Sequence, residues 1–80
     1  SGCTFTLDRR PPDVTQLYVF TQPNGSSTYN PVSNDPANAD GYFTYDDSQL
    51  RLQLNGAVCD RVRDGIETPT VIYGCATPGG

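Results

Sequence analysis

Leu50-Arg51-Leu52-Gln53-Leu54 is the stretch on which the fold turns. Apolar and polar residues alternate strictly through it, the period of a half-buried β-strand. Three leucines therefore face inward, while Arg51 and Gln53 face water. Asn55-Gly56 supplies the turn chemistry that ends the strand. Just upstream, residues 42–45 (Tyr-Phe-Thr-Tyr) read as a second strand, separated from the first by the turn former Asp46-Asp47-Ser48. Downstream, residues 57–64 suit one or two helical turns with Val58 and Val62 on a common face, and Gly65 suits the stop.

The same alternation recurs farther out. Cys3, Phe5 and Leu7 share one face of an N-terminal strand, with Thr4 and Thr6 on the other. Arg9-Arg10-Pro11-Pro12-Asp13 breaks it, because neither proline donates a ladder hydrogen bond. Residues 14–21, β-branched and aromatic, form the next predicted strand, and Gln22-Pro23-Asn24-Gly25 turns it. A short polar edge strand follows over 27–32. The Asn/Asp-rich segment 33–41 is a loop, the last strand covers 70–75, and 76–80 reads as tail or linker. Six short strands with turn signals about every 8–12 residues predict a small antiparallel β-sandwich of immunoglobulin-like type with one short helix, with a small open barrel as the alternative.

Size sets what such a chain can do. Eighty residues make a single domain, 1–80, of which only 35% is hydrophobic, and there is no Trp or Met. A domain this short buries about 60% of the surface its unfolded chain exposes. A staple is therefore expected, and a deep pocket would empty the core. Cys3, Cys59 and Cys75 supply one disulfide and an odd thiol. Cys59 with Cys75 is the favoured pairing, a local clip across helix and strand. Cys3 with Cys75 is the alternative, joining the first and last strands. The thiol left over is free for a neighbouring domain or a second chain. The spacings lack the close cysteine pair of a thiolate zinc site.

Charge and composition exclude several classes of function. Nine acidic residues against five basic ones give a net charge of −4, so no basic face is present for nucleic acid. No apolar run approaches the ~20 residues that span a bilayer. There is no His and no Lys. Histidine-activated nucleophiles and lysine chemistry are thereby ruled out. The adjacent Asp46 and Asp47, and Asp60 and Asp64 four apart, read as a turn and a solvated helix face rather than a hydrolytic pair, so the chain is not expected to be an enzyme. Arg61 with Asp64 and Asp60 with Arg63 read as surface ion pairs.

The order of these motifs is itself informative. Cys-Thr-Phe-Thr-Leu with a Pro pair is followed by Leu-Tyr-Val-Phe and then Gly-Tyr-Phe-Thr-Tyr-Asp. Leu-x-Leu-x-Leu-x-Gly-x-x-Cys-Asp comes next, and Val-Ile-Tyr-Gly-Cys closes the series. Over roughly residues 3–77 the chain resembles the small C-terminal β domain that follows the von Willebrand factor type A domain in secreted and surface proteins of myxobacteria and related bacteria. Where that family has Gly-Trp-x-Tyr, this chain reads Gly41-Tyr42-Phe43-Thr44-Tyr45. The resemblance implies an extracytoplasmic, structural or adhesive accessory module within a larger exported protein. Its partner would be a neighbouring domain, a type A domain among the possibilities. No binding site transfers with it, since the Asp-x-Ser-x-Ser metal motif of the type A domain is absent here.

Two binding readings stand beside the structural one. Tyr18, Tyr29 and Tyr45 are the aromatics expected to face outward and touch a carbohydrate or protein. Asp35, Asn38, Asp40 and Asp46 are the only candidates for calcium. Asn38-Ala39-Asp40-Gly41 resembles the middle of an EF-hand loop, but Pro36 falls at its first ligand position and Asp47 where a bidentate Glu is usual. An Asn/Asp-rich turn without metal is the favoured reading, and no cofactor is expected. Asn24-Gly25-Ser26 fits the N-glycosylation pattern.

Overall fold

The computed structural model describes residues 3–74. Around the alternating leucines it builds a three-stranded antiparallel sheet in which β1 (Thr4–Thr6) and β4 (Tyr42–Asp46) flank β5 (Arg51–Asn55). Leu52 and Leu54 are fully buried at its centre, 0% and 1% exposed, while Arg51 and Gln53 face solvent as the period-two pattern dictates. A second antiparallel sheet has β2 (Leu17–Pro23) at its centre, between β3 (Asn30–Pro31) and β6 (Glu67–Tyr73). The one α-helix among the described residues, α1 (Ala57–Arg63), follows β5. The core joins both sheets and the helix: Leu7, Leu17, Val19, Phe43, Leu52, Leu54 and Val58 form one cluster, with Val62 packed against it. The chain is thus mostly β with one short helix.

Several predicted boundaries move for local reasons. Leu50 is not in the strand. It sits at φ 53° at the end of the turn, half-buried, with Gln49 N–H bonded to the Asp46 carbonyl and Asp46 Oδ1 accepting from Ser48. Val14–Gln16 is a 3-10 turn rather than the start of β2, because Asp13 caps it by accepting from both the N–H and the hydroxyl of Thr15. The predicted strand 27–32 shrinks to Asn30–Pro31, while the last strand begins earlier, at Glu67, and pairs with β2 along its whole length. Its predicted end at Cys75 lies outside the described residues.

Prolines within the strands are placed where no bond is lost. Asn24 N–H bonds to Ile66 and Gly74 N–H to Gln16, so even-numbered residues of β2 bond toward β6. Pro23 therefore faces away from β6. Pro31 lies opposite Phe20, and Pro69 opposite Thr21, residues whose own bonding groups point the other way. Two glycines make the helix junction possible. Gly41 (φ 119°) and Gly56 (φ 84°) cross so closely that a Cβ on Gly56 would lie 2.9 Å from Gly41 Cα, and one on Gly41 would collide with the Asn55 carbonyl oxygen.

The disulfide joins Cys3 to Cys59, with Cα atoms 5.5 Å apart, which corrects both expected pairings. Leu54 donates its N–H to the Cys3 carbonyl, which seats Cys3 beside the end of β5, and β5 leads directly into the helix that carries Cys59. With both cysteines used, neither the Cys59–Cys75 nor the Cys3–Cys75 bond forms; Cys75 itself lies outside the described residues. A crosslink spanning 56 residues stabilises the fold by about 4 kcal/mol in the chain-entropy account.

Candidate functional site

The two sheets meet along a seam that the chain fills only halfway. From β3 the backbone runs on through Val32, whose N–H donates to the Val19 carbonyl of β2 at 2.8 Å. The next residue, Ser33, accepts at its carbonyl from the Phe43 N–H of β4 at 2.9 Å. Beyond this point the seam opens into a groove of about 780 Å³, walled by residues 17–20 of β2 and 43–45 of β4, with Val14 and Thr15 also lining it. That volume lies within the range of small-molecule sites, about 300–1,000 Å³.

The groove has an ordered rim. The Tyr45 hydroxyl donates to Asp47 Oδ1 at 3.1 Å, and Arg10 donates from Nε to Asp47 Oδ2 at 3.2 Å and from Nη2 to the Asp47 carbonyl at 2.9 Å. Burial pushes the Tyr45 phenol above its ordinary pKa, and the bond to Asp47 pushes in the same direction. Next to Arg10, the Arg9 guanidinium stacks 4.9 Å from the centre of the Tyr73 ring. The surface on offer is apolar and aromatic, edged by a phenol and a paired carboxylate, an arrangement suited to holding a ligand.

The three tyrosines singled out in the sequence separate here. Tyr18 and Tyr45 line the groove from opposite walls, whereas Tyr29 lies outside it, 42% exposed ahead of β3. Sequence reasoning missed Arg10, Asp47, Val14 and Phe43. The tandem arginines were visible only as a strand break, and nothing in their spacing points to a partner 37 residues away.

The candidate calcium ligands do not converge. Asp35 Oδ1 accepts from Ala37 N–H and Asn38 Oδ1 from Asp40 N–H, each closing a turn, and Asp46 is held by Ser48, which lowers its pKa. Asp40 is gripped by Arg61. No group of three or more His, Cys, Asp or Glu that could hold a metal ion occurs among the described residues. The ion pairs also depart from expectation. Asp60–Arg63 forms at 3.2 Å, but Arg61 turns away from Asp64 to bind Asp40 and Glu67, and Asp64 pairs with Arg63 instead. Asn24 of the glycosylation pattern donates its side-chain amide to the Gly65 carbonyl.

No protein-family model, curated protein or solved structure matches the chain. No helix among the described residues is long and apolar enough to cross a membrane.

Proposed function

We propose that this chain is a non-catalytic structural and adhesive module of an exported bacterial protein, with an immunoglobulin-like sandwich as its frame and the half-filled seam as its contact surface. The observation that carries the reading is the aromatic groove between β2 and β4, held open on a frame stapled by Cys3–Cys59. A stapled small core suits an extracytoplasmic setting, where disulfides persist. The neighbour in the longer chain, a von Willebrand factor type A domain by motif order alone, is part of the same proposal. The alternative, a dedicated carbohydrate- or protein-binding module, draws on the same groove through Tyr18 and Tyr45; the calcium-binding form of it has no converging ligands among the described residues to support it.

The test is retention without turnover. The oxidised domain is immobilised and challenged with panels of soluble glycans and extracellular proteins, beside a Tyr45→Ala variant. Retention that Tyr45→Ala weakens, with the eluted ligand chemically unchanged, is the expected result. Chemical conversion of a retained ligand would sink the non-catalytic reading.

A further inference from the structure

We propose that the open half of the seam receives an extended strand of another polypeptide, pairing by backbone hydrogen bonds with β4 on one side and β2 on the other. The proposal rests on the adhesive reading and specifies its partner: an uncharged peptide strand with alternating apolar residues.

Hydrogen-bond parity exposes both walls. Leu54 N–H bonds to Cys3 and Leu7 N–H to Leu50, so β5 uses its even-numbered residues toward β1. It must therefore bond β4 through Arg51, Gln53 and Asn55, which lie opposite Asp46, Thr44 and Tyr42. The backbone groups of Phe43 and Tyr45 consequently point away from β5. Ser33 takes the Phe43 N–H. The Phe43 carbonyl and both backbone groups of Tyr45 have no partner among the described residues.

The facing wall repeats the pattern. Odd-numbered residues of β2 point away from β6, toward the seam. Leu17 N–H closes the 3-10 turn on Val14, and the Val19 carbonyl accepts from Val32. Leu17 C=O and Val19 N–H are left without partners among the described residues. The lining of the groove agrees. It touches consecutive residues of both strands, and consecutive strand residues point to opposite faces, so what the groove exposes is the strand edge itself. Unpaired edges are templates for strand addition.

Continuity names the occupant. The closed half of the same seam already holds an extended backbone, residues 30–33, which bonds to β2 and then to β4. The open half presents the same walls. Asp47, the one charged residue that lines it, is already paired with Arg10, so the groove's own lining offers no unpaired ion to recruit a charged ligand. Leu17, Val19 and Phe43 beneath it are core residues, so the incoming strand is recognised by backbone bonds and apolar side chains.

The test is nuclear magnetic resonance on the uniformly 15N-labelled 80-residue chain. It is titrated with the peptide acetyl-Thr-Val-Thr-Val-Thr-Val-amide, with the same peptide N-methylated at alternate residues, and with maltotetraose. The expected result is shift changes along residues 17–19 and 43–45. Amide exchange at Tyr45 and Val19 slows about tenfold or more, and the N-methylated peptide binds at least about tenfold more weakly, since it cannot donate the edge bonds to one of the two walls. Equal binding by the N-methylated peptide overturns the proposal. So does slow exchange at Tyr45 and Val19 in the free protein, which would mean the chain fills its own seam. Shifts at these residues from the tetrasaccharide but not the peptide also overturn it and leave the adhesive reading standing, whereas that reading falls only by the retention experiment.

Discussion

Arg61 grips Asp40 across 21 residues with both terminal nitrogens, at 2.9 and 2.7 Å, while its Nε holds Glu67 at 2.9 Å. One guanidinium thus fastens the 33–41 loop and the start of β6 to the helix. The three groups differ in exposure: the Asp40 side chain is 64% exposed, Glu67 only 9%, and Glu67 Oε1 has no hydrogen-bond partner. Removing the arginine and removing the aspartate should therefore have unequal effects.

Arg61→Ala leaves the buried Glu67 without a cation and is expected to destabilise by about 3 kcal/mol. Asp40→Asn breaks only the exposed arm and should cost under about 1 kcal/mol. Urea unfolding of the two variants checks the ranking; equal losses would mean that the Glu67 arm contributes nothing.

The acid limb follows from the same contact. Hydrogen bonds from Arg61 hold the Asp40 carboxyl below its ordinary value of 3.8, so its stabilising contribution is present above about pH 4 and lost as pH falls through the lowered folded value. Asp13 and Asp46, lowered chiefly by Thr15 and Ser48, act in the same direction. Stability measured against pH should fall below pH 4 in the parent, and Asp40→Asn should flatten part of that slope.

Non-reducing digestion is expected to yield a peptide pair joining Cys3 to Cys59, and reduction to lower the unfolding free energy by about 4 kcal/mol. Recovery of Cys59 bonded to Cys75 would refute the pairing.

Adding one methyl group should separate two glycines that share a left-handed backbone. At Gly25 (φ 80°) a Cβ meets nothing within 4 Å, so Gly25→Ala carries only the conformational penalty, about 1–2 kcal/mol. At Gly41 it collides with the Asn55 carbonyl and with Val58, and Gly41→Ala should lose about 3 kcal/mol or more. Thermal melts of the pair decide it.

Legibility in the sequence divided along physical lines. Leu52, Leu54 and Val58 were readable because side-chain periodicity reports burial directly. Leu50 shows the limit: its side chain still packs on the core, but a turn tightened by Asp46 takes its backbone out of the strand. Tyr18 and Tyr45 stand out in the sequence by residue type, yet the groove that both of them line does not. Its walls are backbone edges, and which edge is left unpaired depends on register, which no side chain announces. For the disulfide, sequence distance favours the short clip, whereas β1 pairing beside β5 brings residue 3 next to the helix. Sequence proximity offers Arg61 its neighbour Asp64, whereas tertiary folding offers it Asp40 and the side chain of Glu67.

The Cys3–Cys59 bond also decides how the domain would respond to being pulled. Tension applied through residues 3 and 74 passes across the sulfur bridge, so everything between Cys3 and Cys59 is bypassed and cannot lengthen. Only the 15 residues from Cys59 to Gly74 can pay out, roughly 50 Å of extended chain against the roughly 190 Å locked inside the loop. The load falls on the helix and on the ladder between β2 and β6. Under force the domain therefore behaves as a short, stiff link whose give is confined to the helix and the last strand, while the residues that line the groove, all of them bypassed, are not drawn out.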